Sequence, residues 1–522
     1  MKKIKSIYAG LIATCISGIT LSSCNNYLDV NDNPNFPTKT TIEALLPSAC
    51  VSTVAQLGLN GTLLGTMWLQ HTTQGNTTNQ YNTTVNYNIS VSSYNAFFTN
   101  AYINTLPDLK DIIQMSEEEN AWNFWLVSKI LMAYNFHILA DLYEDIPFNE
   151  ALDIDTYPYP KYDDGKTVVY PGILTMLDEA LAKKAEAKNA SNPTMGKYDM
   201  YMGGNIDKWT SFAKNLKLKI LMRDFNANKS KIQELLTEND FLKEDCAITS
   251  FEDAANKGNP FYEYNIRQLN TKENIRACHT LCEYLLTYGD PRIANIYQLT
   301  TAATDKINEG EILTDKEKYE GLPCGEKPNT SIIVLKESSR YLQAYDDPVY
   351  LMNQAEIFFL IAEAYARLGD IDKAKENYEN GVTAAFDRWN NTAGKAEDFL
   401  KDGGAYSFKS ETTESMLKCI MIQKWISYAK ANSLDGWFDR NRTGYPAISS
   451  VAKVRISAKP QERTLTPGYE LGTFVDPDAS TLPSGQYPRR LLIPNASSQY
   501  NPNAPVTKSL DEPMWWQVAK GK

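Results

Sequence analysis

The side chains that usually make or break bonds are few in this 522-residue sequence, and their spacing forms no catalytic pattern. Only three histidines occur, His71, His137 and His279. No HExxH, GxSxG or GxxxxGK[ST] stretch is present, so the zinc-peptidase, nucleophile-elbow and phosphate-loop chemistries lack their local signatures. His137 falls inside an apolar helical stretch and reads as a packed imidazole. Asp and Glu total 63, and glycoside cleavage needs only two that meet in space, but no local pattern singles out a pair. Asp141-Leu142-Tyr143-Glu144-Asp145 clusters acids without the oxygen-ligand spacing of a calcium loop and reads as a solvated helix end. No catalytic residue, metal or cofactor is assigned.

The cysteines carry more information. They stand at 15, 24, 50, 246, 278, 282, 324 and 419. Cys24 follows Leu21-Ser22-Ser23, after a basic start (Lys2, Lys3, Lys5) and a short apolar run, Ile7 to Ile19. That arrangement describes a secretory signal and is too short to span a bilayer. An aliphatic residue three places before Cys, then two small residues, resembles the lipobox of lipoproteins. Residues 1–23 are thus expected to leave, with Cys24 becoming the lipidated first residue; several acyl chains anchor stably where one binds marginally. The six remaining cysteines form no zinc-type CxxC pair. Cys278 and Cys282 share a helix face and read as small core residues.

Binding chemistry is better represented. The chain holds 31 Tyr against 18 Phe and 9 Trp, and Tyr suits surfaces that stack on one side and are wet on the other. A ligand site of that kind sets aromatic platforms beside amide or charged groups. Two stretches meet that description. One holds Tyr81-Asn82, Tyr87 and Tyr94-Asn95. The other, Asn259 to Arg267, holds Tyr262, Tyr264 and Arg267. These eight residues are the ligand-binding candidates; Trp68 lies in an apolar run and reads as core. The formal charge of −11 argues against nucleic acid, whose phosphates demand clustered Lys and Arg. No second apolar run is expected to reach membrane-spanning length.

The elements that must position these residues are mostly helices. In Val349 to Trp389, Phe358, Ile361, Ala362 and Tyr365 share a face, Gly369-Asp370 breaks the run, and Ala374, Tyr378 and Gly381 mark a second helix. The spacing matches the tetratricopeptide hairpin. Related pairs are expected near 122–188, 209–240 and 415–432, and such pairs stack because none buries its face alone. Between them, residues 72–104, 259–270, 300–345 and 444–505 are rich in polar residues, Pro or Gly. The expected fold is mostly α: a tetratricopeptide-like helical-hairpin superhelix with an irregular loop-rich lobe. It forms a single large domain over 42–522 after a polar leader, 24–41.

With these segments laid out, the sequence resembles the SusD/RagB family of nutrient-binding outer-membrane lipoproteins over essentially the whole mature chain. Five stretches carry the resemblance: the leader from Cys24 to Pro34; Ala133 to Phe148; Met202-Gly203-Gly204 through Trp209–Leu216 to Arg223; Ala355 to Ala364; and Pro488-Arg489-Arg490-Leu491 with Asn501-Pro502 and Trp515-Trp516. Where relatives usually show Gly-Asp, this chain has Gly204-Asn205. The resemblance implies a cell-surface, lipid-anchored protein that captures a glycan. The protein would then pass that glycan to a SusC-like TonB-dependent outer-membrane barrel. It implies helical repeats as the barrel-facing scaffold, loops as the ligand side, and no enzymatic step. An oligopeptide ligand, a surface glycosidase and a periplasmic repeat scaffold are the alternatives.

Overall fold

The structure, a computed structural model, describes residues 40–327, 332–389, 395–457, 459–460 and 462–519. The signal segment, Cys24 and the leader up to residue 39 lie outside the described residues. Eleven helices of ten or more residues carry the described chain: α1 (Ile42–Gln56), α2 (Leu106–Glu119), α3 (Trp122–Tyr143), α4 (Tyr170–Ala182), α5 (Ile206–Leu221), α6 (Phe225–Glu238), α7 (His279–Tyr288), α8 (Gln354–Leu368), α9 (Ile371–Asp387), α10 (Thr413–Ser427) and α11 (Ser433–Thr443). Three two-stranded antiparallel ribbons accompany them: β1 (Thr72–Gln74) with β5 (Ile275–Ala277), β2 (Ile146–Pro147) with β3 (Tyr162–Asp163), and β4 (Cys246–Ile248) with β6 (Val349–Met352). The fold is mostly α, a tetratricopeptide-like stack of helical hairpins with a loop-rich lobe.

The α8–α9 hairpin shows how local sequence sets this architecture. Asn353 accepts the Glu356 amide at 3.0 Å while the Glu356 carboxylate reaches back, a capping box that starts α8. Gly369, at φ +85°, ends it in the left-handed region that glycine tolerates. Asp370 then accepts the Lys373 amide at 3.1 Å and starts α9. A Cβ at Gly381 would lie 2.7 Å from the Phe359 ring, so glycine is what lets the two helices close. The Gly204-Asn205 departure has a similar reading. Asn205 caps α5 by accepting the Lys208 amide at 3.0 Å, and Asp199 takes the Gly204 amide and the Trp209 indole N–H.

Four of the five family-like stretches contribute to clusters of buried ion pairs. From α3, Asp141 pairs with Arg223 and accepts the Tyr170 hydroxyl, with His137 3.5 Å away. The Arg223 guanidinium lies 4.4 Å over Trp516. Lys219 of α5 sits 2.5 Å from Glu356 and 2.9 Å from Asp435. Arg442 forks onto Glu363 at 2.5 and 2.6 Å and reaches Asp439 at 2.8 Å; Lys424 pairs with the same Asp439 at 2.6 Å. Glu144 accepts Arg490 and Lys508 at 2.8 Å and the Trp515 amide at 2.9 Å. Buried charges persist only when paired in this way.

Two expectations are corrected here. Asp141 and Glu144 are buried, so Asp141–Asp145 is not a solvated helix end; the local run of acids conceals partners 82 and 346 residues away. The run Ile42–Trp68 does reach the length and hydropathy of a spanning helix. Its buried residues, including Leu46, Leu64 and Trp68, pack against α2 and α11 as part of the core.

Candidate ligand-binding face

The loop-rich lobe is tied to the helices by the β1–β5 ribbon, and the two Asn/Tyr stretches grow from its edges. Gln74, at the end of β1, accepts the Tyr81 amide at 2.6 Å. The Tyr81 hydroxyl in turn donates to Asn265, which is fixed by donating to the Phe261 carbonyl at 3.0 Å. The structure therefore brings the two stretches, 184 residues apart, into one junction. Burial, then the neighbouring Tyr264 and Tyr94, pushes the Tyr81 hydroxyl well above its usual range, so it stays a neutral donor.

The candidates divide by exposure. Tyr87 is 2% exposed and wedged between Trp68 and Tyr487, at ring distances of 6.4 and 5.7 Å. Tyr81 is also buried. These two brace the face from below, a correction to their expected role as open platforms. Asn82, Tyr94, Asn95, Tyr262, Tyr264 and Arg267 are half-buried. Tyr94 shares a 2.7 Å hydrogen bond with Thr84, and Asn95 donates to Asn495 at 3.2 Å. Tyr87 and Tyr94 both hold φ near +60°, a backbone conformation costly for bulky residues and retained only where packing over-determines it. Arg267 lies 5.6 Å over Tyr262 and is held by Glu263 at 2.9 Å and by Asp253.

Sequence reasoning missed several residues of this face. Tyr345 meets Tyr262 edge-on at 6.4 Å. The loop-rich lobe also holds a cleft of about 440 Å³ whose lining includes His279, Glu326, Lys453, Arg455, Asp476 and Asp478. Two amides tie the chain next to its lining residues Asp478 and Ile332 to the 72–104 segment. Asn86 accepts the Ala479 amide at 3.1 Å, and Asn76 donates to the Ile333 carbonyl at 2.7 Å. Burial, then Arg455, holds His279 neutral, down at about 4; Arg455 is itself spent on Glu320 at 2.6 Å. Burial pushes Asp478 up. The signal available in sequence was only that 300–345 and 444–505 are polar and rich in Pro and Gly. Among the described residues, no group of three or more His, Cys, Asp or Glu is placed to hold a metal.

The architecture is a helical-repeat spine that carries an amide- and tyrosine-bearing loop face. A family model described as SusD-like, "Starch-binding associating with outer membrane", matches residues 34–465, and the chain belongs to that family. Solved structures share the fold. A chitin-binding protein superposes with a TM-score of 0.69 at 21% identity, over 92% of this chain and 100% of its own. A SusD homolog from Bacteroides fragilis gives 0.67 at 20%, over 92% and 99%. A chitin-binding SusD homolog from Flavobacterium johnsoniae gives 0.68 at 19%, over 91% and 97%. No curated protein matches this chain in sequence.

Proposed function

We propose that this protein is a lipid-anchored outer-membrane protein that captures a glycan on its loop-rich face and hands it, chemically unchanged, to a SusC-like TonB-dependent barrel. The observation that carries the reading is the junction of Tyr81 and Asn265. It gathers Tyr94, Tyr262, Tyr264, Asn82, Asn95 and Arg267 onto one lobe of a chain whose family is described as starch-binding and outer-membrane associated. Two of the structural relatives are described as chitin-binding. Half-buried tyrosines offer stacking faces, while fixed amides offer hydrogen bonds, the mixture a neutral sugar requires. Membrane attachment rests on Cys24 and its lipobox-like approach.

Titrating the lipid-free chain with malto- and chito-oligosaccharides, and with a peptide panel, tests the ligand class. Saturable glycan binding supports it; binding of peptides alone moves the assignment to an oligopeptide carrier. Cys24→Ser tests the anchor, and the expected result is loss of the protein from the outer-membrane fraction. Co-purification of a TonB-dependent barrel with the tagged full-length protein tests the partner.

A further inference from the structure

Where α7 meets α10, a cavity of about 310 Å³ opens beneath the loop that carries Glu470 and Leu471. Its wall is aromatic. Tyr288, at the end of α7, is 38% exposed, and its ring lies 4.8 Å from that of Tyr284. Tyr284 in turn stacks on Tyr406, with rings 11° from parallel at 6.5 Å. The hydroxyls of Tyr406 and Tyr378 are spent, donating to Asp290 at 2.7 Å and to the Tyr406 carbonyl at 2.8 Å. Those of Tyr284 and Tyr288 have no hydrogen-bond partner among the described residues. Tyr284 is only 6% exposed yet lines the cavity, and its hydroxyl is open to the cavity, where water or a ligand hydroxyl can meet it.

The rim fits a neutral guest. Lys418 is paired with Glu470 across the mouth, and Lys409 donates to Ser407 at 3.0 Å with Glu411 nearby, so the charges balance. The loop comes this close because residue 472 is glycine. A Cβ there would lie 3.0 Å from the Tyr284 ring, and its φ of +80° favours glycine. Volume falls at the lower end of the roughly 300–1,000 Å³ typical of small-ligand sites.

We propose that this cavity is a second saccharide subsite, taking one neutral sugar ring with its C–H face on Tyr288 and a hydroxyl at Tyr284. The inference rests on the reading that the ligand is a glycan, but on residues separate from the Tyr81–Asn265 junction. Calorimetric titration of the full-length protein in detergent, with malto- and chito-oligosaccharides as probes, tests it. Wild type is expected to bind two sugars per chain. Tyr288→Ala is expected to remove one of them, Tyr288→Phe to keep it, and Tyr284→Phe to weaken it several-fold. Tyr262→Ala should remove the other. Melting temperatures near wild type establish that the exposed Tyr288 substitution leaves the fold intact. One site per chain, lost in Tyr262→Ala and indifferent to Tyr288→Ala, overturns the subsite and leaves the proposed function standing. Absence of any glycan binding overturns both, and Tyr288-dependent binding of peptides alone overturns the ligand class.

Discussion

The helical spine and the loop-rich face solve opposite problems with polar residues. In the spine, charges are buried and consumed by one another: Asp141 by Arg223, Glu356 by Lys219, Glu363 by Arg442. On the face, polar groups are half-exposed amides and phenols set around a recessed junction. Buried ion pairs are weak evidence of net stability but are costly to break singly. Half-buried amides and rings are cheaper to change and keep part of their surface open to solvent. The family-like stretches therefore mark the frame, and on the proposed function ligand choice falls to segments with no fixed motif.

This contrast predicts a graded series of effects. The largest belongs to the spine: Arg442→Ala leaves Glu363 buried without its fork and should cost about 3–5 kcal/mol, read as a lowered midpoint in urea unfolding. Survival of wild-type stability in that variant would break the contrast outright.

Acidity sharpens it next. Burial pushes Glu363 up, but Arg442 and Arg367 outweigh burial and hold it at about 2. Its contribution is present above the unfolded value near 4.5 and is lost as pH falls toward 2. Glu356 runs the other way, raised by burial to about 7 against the pull of Lys219. Its contribution is present below about 4.5 and is lost as pH rises through 7. Melting temperature against pH should therefore lose part of its acid slope in Glu363→Gln and part of its fall between 4.5 and 7 in Glu356→Gln.

Intermediate effects come from hairpin geometry. Gly381→Ala presses a methyl into Phe359 and should cost about 1–3 kcal/mol. Asn205→Ala removes the cap on α5 and should cost about 1 kcal/mol. The smallest stability change is expected at the face: Tyr262→Ala should stay within about 0.5 kcal/mol, measured in the same unfolding series.

How much of this was legible in sequence follows from range. The α8–α9 hairpin could be read because Phe358, Ile361, Tyr365, Ala374 and Gly381 carry its signal within thirty residues. The buried ion pairs could not: Asp141 and Arg223 are 82 apart, and Asp141 looked like part of an acidic helix end. The face was half legible. Tyr and Asn enrichment located the two stretches, but whether a ring points in or out depends on distant partners. Tyr87 is buried because Tyr487, 400 residues later, covers it. Lys453, Asp476 and Asp478 join the cleft through loops whose sequence has no period to read.

The central claim is that the main recognition site is the loop-rich face around Tyr262 and Tyr345, which the ion-paired spine holds in place. Its most direct test is glycan affinity of the double variant Tyr262→Ala/Tyr345→Ala beside its melting temperature. The account predicts at least a ten-fold loss at the loop-face site with the melting temperature unchanged. Unchanged affinity, or a loss that only follows a loss of fold, would contradict it.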